Sequence, residues 1–252
     1  MFWRDTWTIF RRQMILSLRN PAWVLIGLMQ PIMYLALFGP LLQRVAEVPG
    51  FPPGDSWKVF VPGLLVQLGI FGGFFVGFAV IAEWRAGVVD RMLVSPAPRG
   101  ALILGRVLRD VVSLTVQGAV LMAVATAFGL SVPAYVFVLA LILVAFLGGA
   151  FSAFSYAAGL ALKSEDAFAP LINMFALPVL LLSGILLPMT LAPRWLQIVS
   201  DFNPFKHVVE ALRAVFLGDV LTLVTAFGFG LVIALFVLGL WLGARVFSGQ
   251  VK

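Results

Sequence analysis

Residues 83–110 read EWRAGVVDRMLVSPAPRGALILGRVLRD and form the most strongly basic segment of the chain's interior. It lies between two long apolar runs, 60–82 and 111–130, neither of which contains an acidic or basic residue. Five of the 17 lysines and arginines fall inside it: Arg85, Arg91, Arg99, Arg106 and Arg109. A charged segment between two such runs is expected outside the hydrocarbon, and its arginines favour the cytoplasmic side. The chain is therefore predicted to cross a membrane before and after this segment.

The composition identifies the class of protein. Of 252 residues, 62% are hydrophobic and 11% are charged, and the mean hydropathy is +1.08. Soluble domains contain about 45–50% apolar and about 25% charged residues, so this is an integral membrane protein. The net charge of +6 does not indicate nucleic-acid binding, because the basic residues are spread among loops rather than gathered in one patch. The absence of cysteine excludes disulfides and thiolate metal sites.

Six apolar runs are long enough to cross a bilayer, which takes about 20 residues in a helix. The predicted spans are 24–42, 60–82, 111–130, 134–162, 167–187 and 221–244. Residues 1–20 mix aromatic and basic positions at helical spacing, which predicts an amphipathic helix lying in the membrane interface. Six spans place both termini on one side of the membrane. Twelve lysines and arginines then share that side and five lie on the other, so we expect cytoplasmic termini.

Residues 188–219 differ from the spans because they form two amphipathic pieces, each too short to cross a bilayer. Asn203 can cap the second piece, with Pro204 at its first helical position, and Gly218 can end it. We predict two outer helices that enter the interface and turn back.

Two patterns leave alternatives open. Gly69, Gly73 and Gly77 recur at every fourth position of the second span, which favours close packing of another helix over contact with a ligand. Trp84, Val88 and Met92 give residues 83–96 an apolar stripe at helical spacing, and the prolines that follow end the helix. A cytoplasmic helix lying across the ends of two spans is one interpretation. A solvated loop that obeys the positive-inside rule is the other.

Charged residues are absent from the middle of every predicted span, and Glu83, Asp110 and Arg245 stand at span ends. Gradient-driven transporters place ionisable groups at membrane depth, so such a mechanism is disfavoured. Residues 100–107 have the spacing of a phosphate-binding loop but carry Arg and Val where Lys and Ser or Thr are required. His207 has no second histidine or cysteine with which to bind a metal, and no Ser–His–Asp arrangement suggests a hydrolase.

Two motifs resemble those of ABC-2 type transporter permeases, in the drug-exporter branch that includes daunorubicin-resistance permeases. After the second span, that family has an acidic residue, a glycine, Leu/Met-Leu, a small residue and proline; Glu83, Gly87, Met92, Leu93, Ser95 and Pro96 match it. Its later Asn-Pro, with an arginine nine residues beyond the proline, is matched by Asn203, Pro204 and Arg213. The resemblance covers essentially the whole chain, as one all-α transmembrane domain over residues 1–252.

The resemblance implies a role for each part of the chain. Residues 1–20 would be an elbow helix, 83–96 a coupling helix that docks into a separate ATP-binding subunit, and 188–219 outer re-entrant helices. The coupling residues would be Glu83, Trp84, Arg85, Gly87, Val88, Arg91, Met92, Leu93, Ser95 and Pro96. The substrate path would be lined by Phe71, Phe74, Phe75, Phe78, Asn173, Phe175 and Leu180, and the outer helices would carry Asn203, Pro204 and Arg213.

The resemblance also implies a working unit of two permeases, expected here to be a homodimer, and two ATP-binding subunits. This chain would be non-catalytic and bind no cofactor, since ATP and Mg would sit on the partner subunits. We expect it in the bacterial inner membrane, moving an apolar or amphipathic compound such as a drug or lipid-like molecule outward, as in multidrug efflux and antibiotic resistance. The alternatives are export of a lipid-linked polysaccharide, ion-gradient-driven transport and, weakest, a membrane-embedded enzyme.

Overall fold

The computed structural model describes residues 2–20, 22–45, 56–93 and 98–249, and every regular element within those ranges is helical. The helices are α1 (Phe2–Arg19), α2 (Ala22–Val45), α3 (Ser56–Phe74), α4 (Val76–Arg85), α5 (Val88–Leu93), α6 (Arg99–Ala127), α7 (Ala134–Leu162), α8 (Glu165–Leu182), α9 (Arg194–Asp201), α10 (Pro204–Leu217) and α11 (Leu223–Gly249). A short 3-10 helix, Met189–Leu191, lies between α8 and α9.

Five units of this bundle are long and apolar enough to cross a membrane: α3 together with α4, then α6, α7, α8 and α11. The bent pair of α1 and α2 supplies a sixth candidate. The predicted fold class, an all-α membrane protein, is confirmed for the described residues.

Helix α7 is the centre of the bundle, and α3, α4, α6 and α11 all pack against it. Small buried residues on α7 allow this close approach. A Cβ added at Gly148 would lie 2.4 Å from Leu114 in α6, and one added at Gly149 would lie 2.6 Å from the ring of Phe236 in α11. Because lipid is as apolar as the side chains themselves, helices in a membrane are held together by shape and close contact, which these glycines provide.

The glycines of α3 and α4 face the same central helix. A Cβ at Gly73 would lie 2.5 Å from the Cβ of Phe151, and one at Gly77 would lie 2.6 Å from Ser155 Oγ. The packing interpretation of this stripe is confirmed, since α7 occupies the space that side chains would need.

The predicted second span is interrupted at Phe75, between α3 and α4. Ser155 of α7 fills the interruption: its hydroxyl donates to the carbonyl oxygen of Phe74 and accepts from the backbone N–H of Gly77, 2.8 Å away. A side chain inserted into the hydrogen-bond ladder is an established cause of a break in a long helix. The backbone groups at the break are thus satisfied within the protein, as a membrane environment requires.

Two helices have bounds that differ from the predicted spans. Helix α6 begins at Arg99, after Pro98, so Arg106, Arg109 and Asp110 lie inside a long helix rather than in the segment before it. Helix α8 ends at Leu182 rather than near residue 187. Gly184, with φ of +72°, takes the left-handed conformation there, so the chain turns away before the apolar run ends.

Replacing Gly77 by Ala tests the packing of α4 on α7. The added Cβ would lie 2.2 Å from the Phe168 ring and 2.6 Å from Ser155 Oγ, so we expect a destabilisation of about 1–3 kcal/mol, typical of overpacking. Gly230→Ala is the matched control, because Gly230 is exposed on α11 and its Cβ would meet no atom within 4 Å. Thermal unfolding of both variants in detergent measures the difference. Equal melting temperatures would contradict the packing role.

Candidate functional site

The segment predicted as one coupling helix is two helices in the structure. Helix α4 ends at Arg85 and α5 covers only Val88–Leu93, with Gly87 between them at φ of +68°. The prediction of a continuous helix over 83–96 is therefore wrong within the described residues, because a residue at positive φ lies outside the right-handed α region and interrupts the helix. Ser95 and Pro96 lie outside the described residues, and so does the side chain of Leu93.

The apolar stripe of this segment is directed into the bundle. Val89 is 1% exposed, and Trp84 and Met92 are partly buried against a cluster that includes Tyr156 and Phe247. Trp84 and Met92 therefore pack in part against this chain's own core, and the docking of Trp84, Val88 and Met92 on a partner subunit stays a prediction. The sequence pattern marked an amphipathic segment correctly but could not tell which neighbour covers its apolar face.

The arginines of the segment are divided between surface and interior. Arg85 and Arg91 are exposed at the end of the bundle that carries α5. Arg106, by contrast, is 2% exposed and its guanidinium lies 2.5 Å from the carboxylate of Glu83 in α4. The same guanidinium lies 3.3 Å from the sulfur of Met92 in α5 and 5.9 Å from the ring centroid of Tyr156 in α7. One buried cation therefore joins α4, α5, α6 and α7.

A second set of polar contacts adjoins the first. Tyr156 donates its hydroxyl proton to Asp110 at 2.7 Å, and the guanidinium of Arg109 lies 3.1 Å from the other carboxylate oxygen of Asp110. Arg109 also donates to the Tyr156 hydroxyl oxygen at 3.3 Å. We call the group Glu83, Arg106, Arg109, Asp110 and Tyr156 the ionic cluster.

The ionic cluster is buried in the first half of α6, before the uncharged run that begins at residue 111. Arg106 and Asp110 are each 2% exposed. Two carboxylates face two guanidiniums, so the formal charges cancel, as buried charges must be paired to be tolerated. The sequence did contain a signal for this cluster, since Arg106 and Asp110 are four residues apart and share one face of a helix that begins after Pro98. The prediction missed it because it began the third span at residue 111 and left both residues in the segment before that span.

The turn between α7 and α8 adds residues that the sequence reasoning missed. The ammonium of Lys163 lies 5.1 Å from the Trp84 ring centroid, and Arg85 donates to Glu165 at 3.2 Å. Both side chains of the Arg85–Glu165 pair are about half exposed, so the pair contributes little stability. Its significance is positional, because it places the α7–α8 turn beside the end of α4.

The residues predicted to line a substrate path fall into two groups. Phe71, Phe74, Phe78 and Leu180 are partly buried and pack against the core; the Phe74 ring lies 4.6 Å from that of Phe151, and the Phe78 ring 4.9 Å from that of Phe168. Phe75, Asn173 and Phe175 are exposed. The prediction was made for one face of the second span, but the interruption at Phe75 turns that side chain outward while its neighbours stay inside.

Helix α8 presents an exposed stripe with polar character. Pro170, Asn173, Met174, Leu177, Pro178 and Leu181 recur at helical spacing and are all exposed. Each proline lacks an N–H and leaves a carbonyl oxygen of the preceding turn without its helical partner. Together with the Asn173 amide, these carbonyl oxygens give an otherwise apolar stripe a few hydrogen-bonding groups.

The opposite end of the bundle carries α9 and α10, joined by a tight corner. Asn203 caps α10 by accepting from the Phe205 N–H at 3.0 Å, Pro204 occupies the first turn, and Gly218 ends the helix at φ of +101°, as the sequence predicted. The Lys206 ammonium donates to the Asp201 carboxylate, and this hydrogen bond lowers the pKa of Asp201.

Arg213 fastens this corner to the bundle. Its side chain is buried and donates to two backbone carbonyl oxygens, that of Val59 in α3 at 2.8 Å and that of Gly184 at 2.7 Å. Gly63 allows the chain after α8 to approach, because the carbonyl oxygen of Ile185 lies only 2.1 Å from where a Cβ would be. A single arginine thus connects α10, the start of α3 and the end of α8.

Comparison with known proteins identifies the family. The profile of the family described as ABC-2 type transporter matches residues 4–217. The transport permease ycf38 of Cyanophora paradoxa is 26% identical over 84% of this chain and 74% of its own length. The inner membrane transport permease YadH of Escherichia coli K12 is 28% identical over 83% of this chain and 80% of its own.

A third relative covers less. YbhR of Escherichia coli K12, named as a multidrug ABC transporter permease, is 25% identical over 67% of this chain and 46% of its own length. The family match extends from α1 to the end of α10 and includes both the ionic cluster and the corner held by Arg213. This chain belongs to the ABC-2 type transporter family.

Proposed function

We propose that this chain is the membrane subunit of a bacterial ATP-driven exporter that moves an apolar or amphipathic compound outward. Two copies would work with two copies of a separate ATP-binding subunit, which would hold ATP and Mg. The chain itself would be non-catalytic, with both termini on the cytoplasmic side of the inner membrane. The observation that carries the proposal is the ionic cluster, which links the α4–α5 corner to α6 and α7 inside a protein of this family.

The coupling step follows from this connectivity. Arg85 at the end of α4 and Arg91 on α5 are exposed and would contact an acidic surface of the ATP-binding subunit. Movement of α5 would be transmitted through Met92 and Glu83 to Arg106, and thereby into α6 and α7. The α7–α8 turn, held by Trp84–Lys163 and Arg85–Glu165, would carry the same movement into α8.

The substrate path would run along the exposed stripe of α8. A row of aromatic rings links Phe75 to this helix. The Phe75 ring stacks on Phe78 of α4, and the Phe78 ring contacts Phe168 of α8. Exposed aromatic and aliphatic side chains with one amide, Asn173, suit an apolar or amphipathic compound. The facing wall would come from the second copy of the chain.

Gradient-driven transport is the second candidate, because Asp110 is a carboxylate buried within α6. Its contacts disfavour that role, since Asp110 is already engaged by Arg109 and Tyr156. Transport assayed in vesicles separates the two: export by the proposed assembly requires ATP and persists when ion gradients are collapsed. Transport that needs only a gradient would overturn the proposal.

The first prediction concerns transmission through the ionic cluster. Glu83→Gln leaves the buried Arg106 guanidinium without this partner, which typically costs about 3–5 kcal/mol. Arg106→Met leaves Glu83, which is partly exposed, and so costs less, whereas removing both charges is often nearly neutral. We therefore expect each single variant to lower the melting temperature and the double variant to regain most of it. Export by the double variant, assembled with its ATP-binding subunit, should stay low while ATP hydrolysis continues. Wild-type export by the double variant would contradict a transmitting role.

The second prediction concerns docking. Arg91→Glu reverses an exposed charge beside α5, so we expect reduced co-purification of the ATP-binding subunit with no change in melting temperature. Arg245→Glu is the control, because Arg245 is also exposed near the same end of the bundle but lies on α11. An equal loss of the partner in both variants would mean that net charge, and not the α5 surface, governs docking.

The third prediction separates path from packing residues. Phe175→Ala should change which compounds are exported and leave stability intact, because its ring is 53% exposed. Phe74→Ala should instead destabilise the protein by roughly 2 kcal/mol or more, since its ring packs against Phe151. Resistance profiles and melting temperatures of the two variants provide the test. An unchanged profile for Phe175→Ala together with Asn173→Ala would place these residues against lipid.

A further inference from the structure

Helix α1 has three faces with different surroundings. Thr6 and Gln13 are buried and Ile9 is partly buried on the face that packs against α6, where Ile9 and Thr6 would lie 2.8 Å from a Cβ at Gly105. This face holds α1 against α6, which fixes the directions in which the other two faces of α1 point.

The second face is apolar and uncovered. Trp3 is 74% exposed, Trp7 63% and Leu18 72%, and these residues share one side of the helix. Trp side chains with an apolar ring and a polar N–H are enriched where a protein meets the membrane–water boundary. The second face therefore has the composition of a surface that meets acyl chains.

The third face is basic. Arg11, Arg12 and Arg19 line a shallow groove of about 300 Å³ together with Thr8, Ile15 and Leu16. All three arginines are exposed, and within the described residues none lies in ion-pair distance of a carboxylate. The one acidic residue of α1, Asp5, lies 3.9 Å from Arg4 instead. Three unpaired guanidiniums thus border the apolar second face.

We propose that the groove formed by Thr8, Arg11, Arg12, Ile15, Leu16 and Arg19 binds the head group of an anionic phospholipid. Guanidinium groups bind phosphate through paired N–H donors, and Arg retains its charge at the membrane surface. Ile15 and Leu16 lie within the groove, and the face that carries Trp7 and Leu18 adjoins Arg11, so the acyl chains of the same lipid have apolar contacts available. Basic residues on an interfacial helix are the recognised signature of anionic-lipid binding.

The test measures lipid preference directly on the purified full-length chain. The protein is incubated in detergent micelles with equal amounts of dioleoyl phosphatidylglycerol and dioleoyl phosphatidylcholine, and retained lipid is counted by native mass spectrometry. We expect the wild type to retain phosphatidylglycerol preferentially. The triple variant Arg11→Gln, Arg12→Gln, Arg19→Gln should lose that preference by roughly 10- to 100-fold, whereas the corresponding triple Arg→Lys variant should keep most of it.

The control variant removes the same number of exposed charges on other helices: Arg91→Gln, Arg194→Gln and Arg245→Gln together. It should retain the preference for phosphatidylglycerol if the groove is the site. Equal losses in both triple variants would show a bulk charge effect and overturn the proposal, as would equal retention of the two lipids by the wild type. Displacement of phosphatidylglycerol by 10-fold excess inorganic phosphate would also overturn it, because the groove would then take free phosphate rather than a lipid.

If the triple Gln variant is poorly folded by circular dichroism, the single Arg→Gln variants replace it. Each should show a partial loss of the preference for phosphatidylglycerol, and three unchanged single variants would equally contradict the proposal.

Discussion

The pairing of Glu83 with Arg106 is the interaction on which the rest of the α5 end depends. Helices α4, α5, α6 and α7 meet at this pair, and its cation is 2% exposed. The buried guanidinium needs a carboxylate partner, so this pair ties α4 to α6, while the contacts of Arg106 with Met92 and Tyr156 bring in α5 and α7. If α4 moved relative to α6, the Glu83–Arg106 pair would break unless α6 moved with it. The corner between α4 and α5 is therefore stiff.

Much of the architecture was predictable because membrane helices have simple requirements. The length and apolarity of residues 134–162 predicted both ends of α7. The two ends of α10, with Asn203 and Pro204 at its start and Gly218 at its end, were predictable because they depend only on neighbouring residues. The ionic cluster was not predictable in the same way, because its members come from three helices, α4, α6 and α7. A hydropathy profile also treats every charged residue as the end of a span. Trp84 and Met92 marked an apolar face, but what covers such a face is decided by tertiary packing.

The two ends of the bundle are fastened by arginine in different ways. At the α5 end Arg106 is neutralised by a carboxylate, whereas at the opposite end Arg213 donates to the carbonyl oxygens of Val59 and Gly184. The first arrangement depends on charge and is sensitive to loss of either partner. The second depends on the positions of two backbone carbonyl groups, and Gly63 and Gly184 allow the chain to bring them there.

Ser155 has a consequence for bending. Its hydroxyl holds the carbonyl of Phe74 and the N–H of Gly77 at the interruption between α3 and α4. An unbroken helix in hydrocarbon resists bending because opening its ladder exposes peptide groups that nothing in lipid can satisfy. Here the Ser155 hydroxyl already replaces part of the ladder. The break between α3 and α4 is therefore the place in this membrane helix where a bend costs least, because the peptide groups beside it have a hydrogen-bond partner on the neighbouring helix.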